Sequence, residues 1–296
     1  MKKLAVIMDT WTTMYEDNKN GNNIYIVPLM IFAEINGKMV EYREHIDISK
    51  KEILDKIEKN IKMSTSQPSI GNSMKKLEQL LNEYEKILII PIPEILSGTF
   101  SMWQSIIKEL PEEDSKRIVL KDFMDVSIAS YNSVQEALEL SKNEEDPINF
   151  VIENLNKRMT KWFACFITGD MNRLIKSGRV GFLKGFLASF LKKKITIGWE
   201  DGFKKIAASS KIEKNLEISL QFAEKKISYI KKGIKKLYIA SVHGFKNNDL
   251  DSYTNFIKDY LAKKNVKIGK IIPMDITNSV VIHLGEKTLA FYIETN

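Results

Sequence analysis

KILIIPIPEILSGTFSMWQSIIKEL, residues 86–110, is the stretch that decides the fold. Residues 86–92 are an apolar, β-branched run too short for a helix, so they predict a buried strand. Residues 99–110 carry apolar positions at helical spacing and predict a helix. Between them lies a short loop with Ser97, Gly98 and Thr99. Strand, short loop and helix are the repeating unit of a parallel α/β sheet. Ligands in such sheets sit beyond the carboxyl ends of the strands, where this loop falls. Either Ser97 or Thr99 is a candidate N-cap for the helix. The same position also offers free backbone N–H groups and a helix dipole to an anion.

The same pattern extends on both sides. LAVIMDT (4–10) reads as a first strand ended by Asp9, and IYIVPLMIFA (24–33) as a second, with Pro28 pointing to an edge or a bulge. SMKKLEQLLNEY (73–84) is helical, with Leu77, Leu80, Leu81 and Tyr84 on one face. KRIVLKD (116–122) is a strand, and 133–142 a helix. Asp146 as N-cap and Pro147 at the first helical position start another. STSQPS (64–69) precedes the helix at 73–84, with Ser69 or Ser73 as its cap and Pro68 pinning the loop. Two hydroxyl-rich loops are therefore expected on one edge, with Asp9 nearby.

From about 160 the pattern changes. KWFACFITG and KKITIGW read as strands, EISLQFAEKKISYIKK (217–232) as an amphipathic helix, KLYIASVHG as a strand and 251–264 as a helix. KIGKIIPM, SVVIHLG and TLAFYIE close the chain as short strands. The expectation is two α/β domains, 1–158 and 159–296, the first a mainly parallel sheet flanked by helices.

The 296 residues are 44% hydrophobic, enough for a sizeable core. No apolar run approaches the roughly 20 residues of a membrane span. The apolar run after Lys2 and Lys3 is shorter than the roughly 7–15 residues of a secretory h-region, so a cytoplasmic protein is expected. The single cysteine, Cys165, reads as a small buried hydrophobe. With only three scattered histidines (His45, His243 and His283), a structural zinc site is not expected. The net charge of +7 is spread along the chain among Glu and Asp. Without a helix-turn-helix, zinc or aromatic-basic motif, nucleic acid is not an expected partner. No Walker, dinucleotide or nucleophile-elbow motif occurs.

VIMDT (6–10), VPL (27–29), TSQPS (65–69), LSGTF (96–100), LIKSGRVG (174–181) and VVIHLG (280–285), in this order, resemble the DegV family of fatty-acid-binding proteins. The matches run from residue 4 to about 285. The chain departs in three places. The family's "DSt" is here Asp9–Thr10–Trp11, its "GGR" is Ser177–Gly178–Arg179, and its "HtGPG" is His283–Leu284–Gly285–Glu286–Lys287. The resemblance implies a long-chain fatty acid in a lipid tunnel between the domains, and no cofactor. Its carboxylate would be held by Thr65 and Ser97, with Asp9, Ser66, Gly98, Thr99, Arg179 and His283 in the head-group vicinity. It also implies a carrier subunit, without catalytic activity alone, for a separate ATP-dependent fatty-acid kinase subunit.

Three further expectations follow, the first for the ligand that the resemblance implies. Each buried methylene of a lipid tail contributes about 0.8 kcal/mol, so the tail would dominate affinity. GFLKGFLASFLKKK (181–194) places Phe182, Phe186, Leu187, Phe190 and Leu191 near one helical face flanked by lysines. It reads as a core-facing helix or as a lid that touches an anionic membrane surface. The rival function is a stand-alone hydrolase or phosphotransferase with Ser97 as nucleophile and His283 as base.

Overall fold

A computed structural model describes residues 1–12, 21–123, 127–178, 193–199, 203–242 and 248–296. The chain divides into two compact units. One is Met1–Met159 with Thr277–Ser279, and the other is Thr160–Ile276 with Val280–Asn296.

The N-terminal unit is built on four strands: β1 (Lys2–Asp9), β2 (Ile24–Val27), β6 (Tyr84–Ile89) and β7 (Ile118–Leu120). Their order is β2-β1-β6-β7, and every pair is parallel. Helices α2 (Ile70–Glu83), α3 (Thr99–Lys108), α4 (Glu112–Ser115), α5 (Ser127–Leu140) and α6 (Pro147–Arg158) belong to this unit. Side chains alternate across a strand, and with helices on both sides this explains why Leu4–Met8 of β1 are all apolar. Ala5 and Ile7 pack on Leu77 and Leu80 of α2 and on Met102, Trp103 and Ile106 of α3. Leu4, Val6 and Met8 face the opposite way, onto Val134 and Ala137 of α5 and Val151 of α6. Helix α6 starts as its sequence requires: Asp146 accepts the Asn149 N–H, and Pro147 occupies the first turn.

IYIVPLMIFA does not form one strand. It bends at Pro28–Leu29 into β2 and β3 (Met30–Ile35), which lie in different sheets. Proline lacks an N–H and cannot extend a ladder. Strand β3 is the centre of a small antiparallel sheet between β4 (Lys38–Arg43) and β5 (Met63–Ser66). Helix α1 (Lys50–Glu58) links β4 to β5 and begins with a Ser49–Glu52 capping box.

The C-terminal unit has a six-stranded mixed sheet. Its strands are β8 (Trp162–Ile167), β9 (Lys194–Trp199), β10 (Phe203–Ser209), β11 (Ile234–Ser241), β12 (Ile268–Asp275) and β13 (Leu289–Thr295). The order is β10-β9-β8-β13-β11-β12, and only β11 and β12 run parallel. Helices α8 (Ile212–Ile227) and α10 (Asn248–Ala262) supply Leu216, Leu220, Ile257 and Leu261 to a core with Phe163, Cys165, Leu237 and Phe291. The shorter helices are α7 (Met171–Lys176), α9 (Tyr229–Lys232) and α11 (Asn278–Leu284).

Helix α11 corrects the reading of SVVIHLG as a strand. The β-branched Val280, Val281 and Ile282 favour strand locally, but all three are buried on the helix. Its first two residues, Asn278 and Ser279, belong to the N-terminal unit, where the Glu44 side chain accepts the Ser279 N–H at 2.6 Å. Among the described residues no helix is long and apolar enough to cross a membrane.

Candidate functional site

The carboxyl ends of β1 and β6 place the first hydroxyl loop. Asp9 closes β1 and is 1% exposed. Its Oδ2 accepts the Ile92 N–H at 2.7 Å, and its Oδ1 accepts the Trp11 N–H at 3.0 Å. The first bond fixes the start of the segment that leads from β6 to Ser97. Ser97 is half-buried. Its Oγ lies 2.8 Å from Thr99 Oγ1 and accepts the Thr99 N–H at 3.3 Å. The N-cap of α3 is Gly98, not Ser97 or Thr99, and no side chain caps the helix there. Ser97 stands one residue earlier and takes only the first helical N–H. The next N–H groups of α3 have no acceptor within the helix, and the dipole gives this end a partial positive charge.

The second hydroxyl stretch is largely not a loop. Thr65 and Ser66 lie on β5, where Thr65 pairs with Ile31 and Ser66 with Met30. Neighbours in a strand point to opposite faces. Thr65 is half-buried, whereas Ser64 and Ser66 are exposed, so Ser66 is turned away from the face that carries Thr65. Ser69 occupies the N-cap of α2 without a side-chain bond, and Ser73 is fully buried inside the helix, capping nothing. The two stretches meet at Gly98: a Cβ there would sit 3.0 Å from Gln67 Oε1.

A polar cluster behind these stretches escaped the sequence reading. Thr10 Oγ1 donates to Glu44 Oε2 at 2.5 Å and accepts the Leu29 N–H at 3.0 Å. Glu44 is fully buried just after β4. Burial pushes its carboxyl up to about 7, against the hydrogen bonds it accepts from Thr10 and Ser279 and with a further rise from the Asp9 charge. Burial likewise pushes Asp9 up to about 7, opposed by the Ile92 and Trp11 N–H groups. His45, with φ of 63°, has Nε2 3.9 Å from Glu44 Oε1. Burial, then the Lys50 charge, hold its imidazole down at about 4. The sequence carries no signal for this cluster, since EYREH (41–45) reads like an ordinary charged surface stretch.

The model of the DegV family, described as "Uncharacterised protein, DegV family", matches residues 3–296. The chain belongs to the DegV family. A DegV domain-containing protein of Listeria monocytogenes is 24% identical, with all of both chains covered. The crystal structure of a fatty acid binding DegV family protein from Streptococcus agalactiae superposes with a TM-score of 0.81. It is 23% identical and covers all of both chains. A stearic acid-binding protein from Eubacterium ventriosum gives 0.76 at 18% identity, covering 99% of this chain and 98% of the other. At these identities the two structures establish the fold alone.

The other DegV motif positions are distributed as follows. Arg179 lies outside the described residues, as does 181–192 of the lysine-flanked segment; Gly178 before it has φ of 72°. His283 is half-buried near the end of α11 and belongs to the C-terminal unit, whereas Asp9, Thr65 and Ser97 belong to the N-terminal unit. The turn after His283 is closed without the family's Pro–Gly pair. Gly285 takes φ of 85°, where a Cβ would meet Asp170 Cβ at 2.7 Å. Thr288 Oγ1 donates to the Leu284 and Gly285 carbonyls. Cys165 is fully buried, which pushes its thiol well above the usual range. Among the described residues no group of three His, Cys, Asp or Glu side chains is placed to hold a metal.

Proposed function

We propose that this DegV-family chain binds a long-chain fatty acid with its carboxylate held by Thr65 and Ser97. In this reading it presents that carboxylate to a separate ATP-dependent kinase subunit for acyl-phosphate formation, and has no catalytic activity alone. The observation that carries the reading is the meeting of the two hydroxyl stretches at Gly98, beside a helix N-terminus with no side-chain cap. A glycine there leaves Gln67 against the backbone and keeps the space in front of α3 free of a side chain. The fatty acids bound by the solved relatives supply the ligand class.

The hydroxyl chemistry suits the task. Thr99 is fully buried, 2.8 Å from Ser97. With the Thr99 O–H donating to Ser97 Oγ, the Ser97 O–H is left to donate to a carboxylate. Neutral donors hold an anion without the tight bidentate grip of arginine, so it stays nucleophilic. Among the described residues the hydrogen bonds of Ser97 run to Thr99 alone. A serine nucleophile needs a base within reach, so nothing specific favours the hydrolase reading.

The test is native mass spectrometry of the purified chain, followed by denaturing extraction and lipid analysis. The expected result is one co-purifying fatty acid, lost from the Thr65→Val, Ser97→Ala double variant. Retention unchanged in that variant would remove these two residues from the site.

A further inference from the structure

Asp9 and Glu44 lie behind the hydroxyl stretches, and each holds one of them. Asp9 takes the Ile92 N–H and so fixes the segment that ends at Ser97. Glu44 takes the hydroxyl of Thr10, whose Oγ1 takes the Leu29 N–H, and the Glu44 N–H donates to the Leu29 carbonyl at 2.8 Å. Leu29 leads directly into Met30 and Ile31, which stand opposite Ser66 and Thr65. Thr10 is the next residue after Asp9, so the two acids are joined through one side chain and one peptide.

The four carboxyl oxygens accept bonds from Trp11 N–H, Ile92 N–H, Thr10 O–H and Ser279 N–H. All four donors are neutral. The ionisable groups that face the pair, among the described residues, are the two acids themselves and His45, with Lys50 acting on His45. The imidazole is uncharged near neutral pH, and Asn278 and Ser279 at the start of α11 carry no charge. Two negative charges buried without a cation are costly, and two acids that feel each other do not both ionise readily. The positive charge that two carboxyls alone can hold is a proton; among the described residues no group of three His, Cys, Asp or Glu side chains is placed to hold a metal.

We propose that Asp9 and Glu44 form a shared proton site behind the head-group stretches, and that an anionic fatty acid arriving at Thr65 and Ser97 brings a proton onto this pair. The inference rests on the fatty-acid reading above. A third negative charge nearby makes the ionised pair less favourable, so binding draws a proton in and release lets it go. The burial that lifts both carboxyls to about 7 sets the range. Below it the pair is already protonated and affinity is flat. Through and above it affinity falls with rising pH, by up to about tenfold per pH unit if one proton is taken up.

The experiment is calorimetric titration of palmitate, below its micelle concentration, into the full chain between about pH 5.5 and 8.5. Buffers of different ionisation enthalpy give the number of protons taken up. The expected result is uptake near neutral pH that disappears at the acid end and is reduced in both Glu44→Gln and Asp9→Asn. Palmitate binding without uptake overturns the inference and leaves the fatty-acid reading intact. Uptake unchanged in both variants puts the proton on the ligand and also overturns it. Failure of the wild type to bind palmitate overturns the fatty-acid reading and this inference with it. If the variants do not fold, the wild type decides alone. Isotope-labelled protein with unlabelled palmitate must show a protein carboxyl band gained on binding in the infrared difference spectrum, and its absence overturns the proposal.

Discussion

The polar cluster of the N-terminal unit and the core under α8 and α10 in the C-terminal unit are equally buried but built from opposite materials. The first holds Asp9, Thr10, Glu44 and Asn278, each at most 1% exposed. The second holds Phe163, Cys165, Leu216, Leu220, Leu237 and Phe291. The apolar core gains by leaving water, whatever the pH. The polar cluster stands only because each carboxyl oxygen meets a donor, and its stability depends on how many protons it holds. Residues that break the ordinary rule of burial therefore mark the place where the fold trades stability for a chemical property.

The largest effect should come from the apolar side. Leu220→Ala removes a fully buried side chain from the core of the C-terminal unit. The expected loss is about 2–5 kcal/mol. Urea unfolding should show the same loss at pH 5 as at pH 8, because among the described residues that core holds no carboxyl or imidazole. A loss that changes with pH would break the contrast between the two regions.

Next comes the pH dependence itself. The folded values of Asp9 and Glu44 lie above the unfolded ones, at about 7 against 3.8 and 4.5. Between these limits the unfolded chain gives up protons that the folded protein keeps. Stability therefore falls as pH rises from about 4 to about 7, and the penalty is complete above that. Glu44→Gln removes its share, on the order of 3 kcal/mol. The variant should lose less stability than the wild type between pH 4.5 and 8, as measured by chemical denaturation. Parallel curves for the two proteins would show that Glu44 does not carry this titration.

The same contrast explains what was legible in the sequence. The apolar pattern carries the elements that bury a face: β1 with its two-sided core, α2 with Leu77 and Leu80, and α6 with Asp146 and Pro147. Motif order carries the family. The strand-to-helix correction at 278–284 was not legible, because Val280, Val281 and Ile282 favour a strand until tertiary packing and the Glu44–Ser279 bond overrule them. Nor was the placement of Thr65 and Ser66 on β5, since MSTS has no apolar alternation to announce an edge strand. Glu44 was invisible for a different reason. Its partners lie 34 and 235 residues away in the chain, and no local pattern brings Thr10 and Ser279 to one acid.

The smallest effect on stability is the most informative about the hydroxyl edge. Gly98 has φ of −69°, a value open to any residue, so no backbone strain requires glycine there. Its reason is space, since a Cβ would sit 3.0 Å from Gln67 Oε1. In Gly98→Ala the amide of Gln67 must shift by a few tenths of an ångström, which a flexible side-chain end does readily. Replacing glycine also lowers the entropy of the unfolded chain, a gain of about 0.4–1 kcal/mol where the conformation fits. The two terms nearly cancel, and the melting temperature should move by no more than a few degrees. Ligand retention responds differently, because the methyl group stands where the two stretches meet, in front of α3. Palmitate affinity should fall several-fold while thermal stability holds. A variant that keeps full affinity would mean the space at Gly98 serves only the packing of Gln67, and the hydroxyl edge would then have to be sought on the Thr65 face alone.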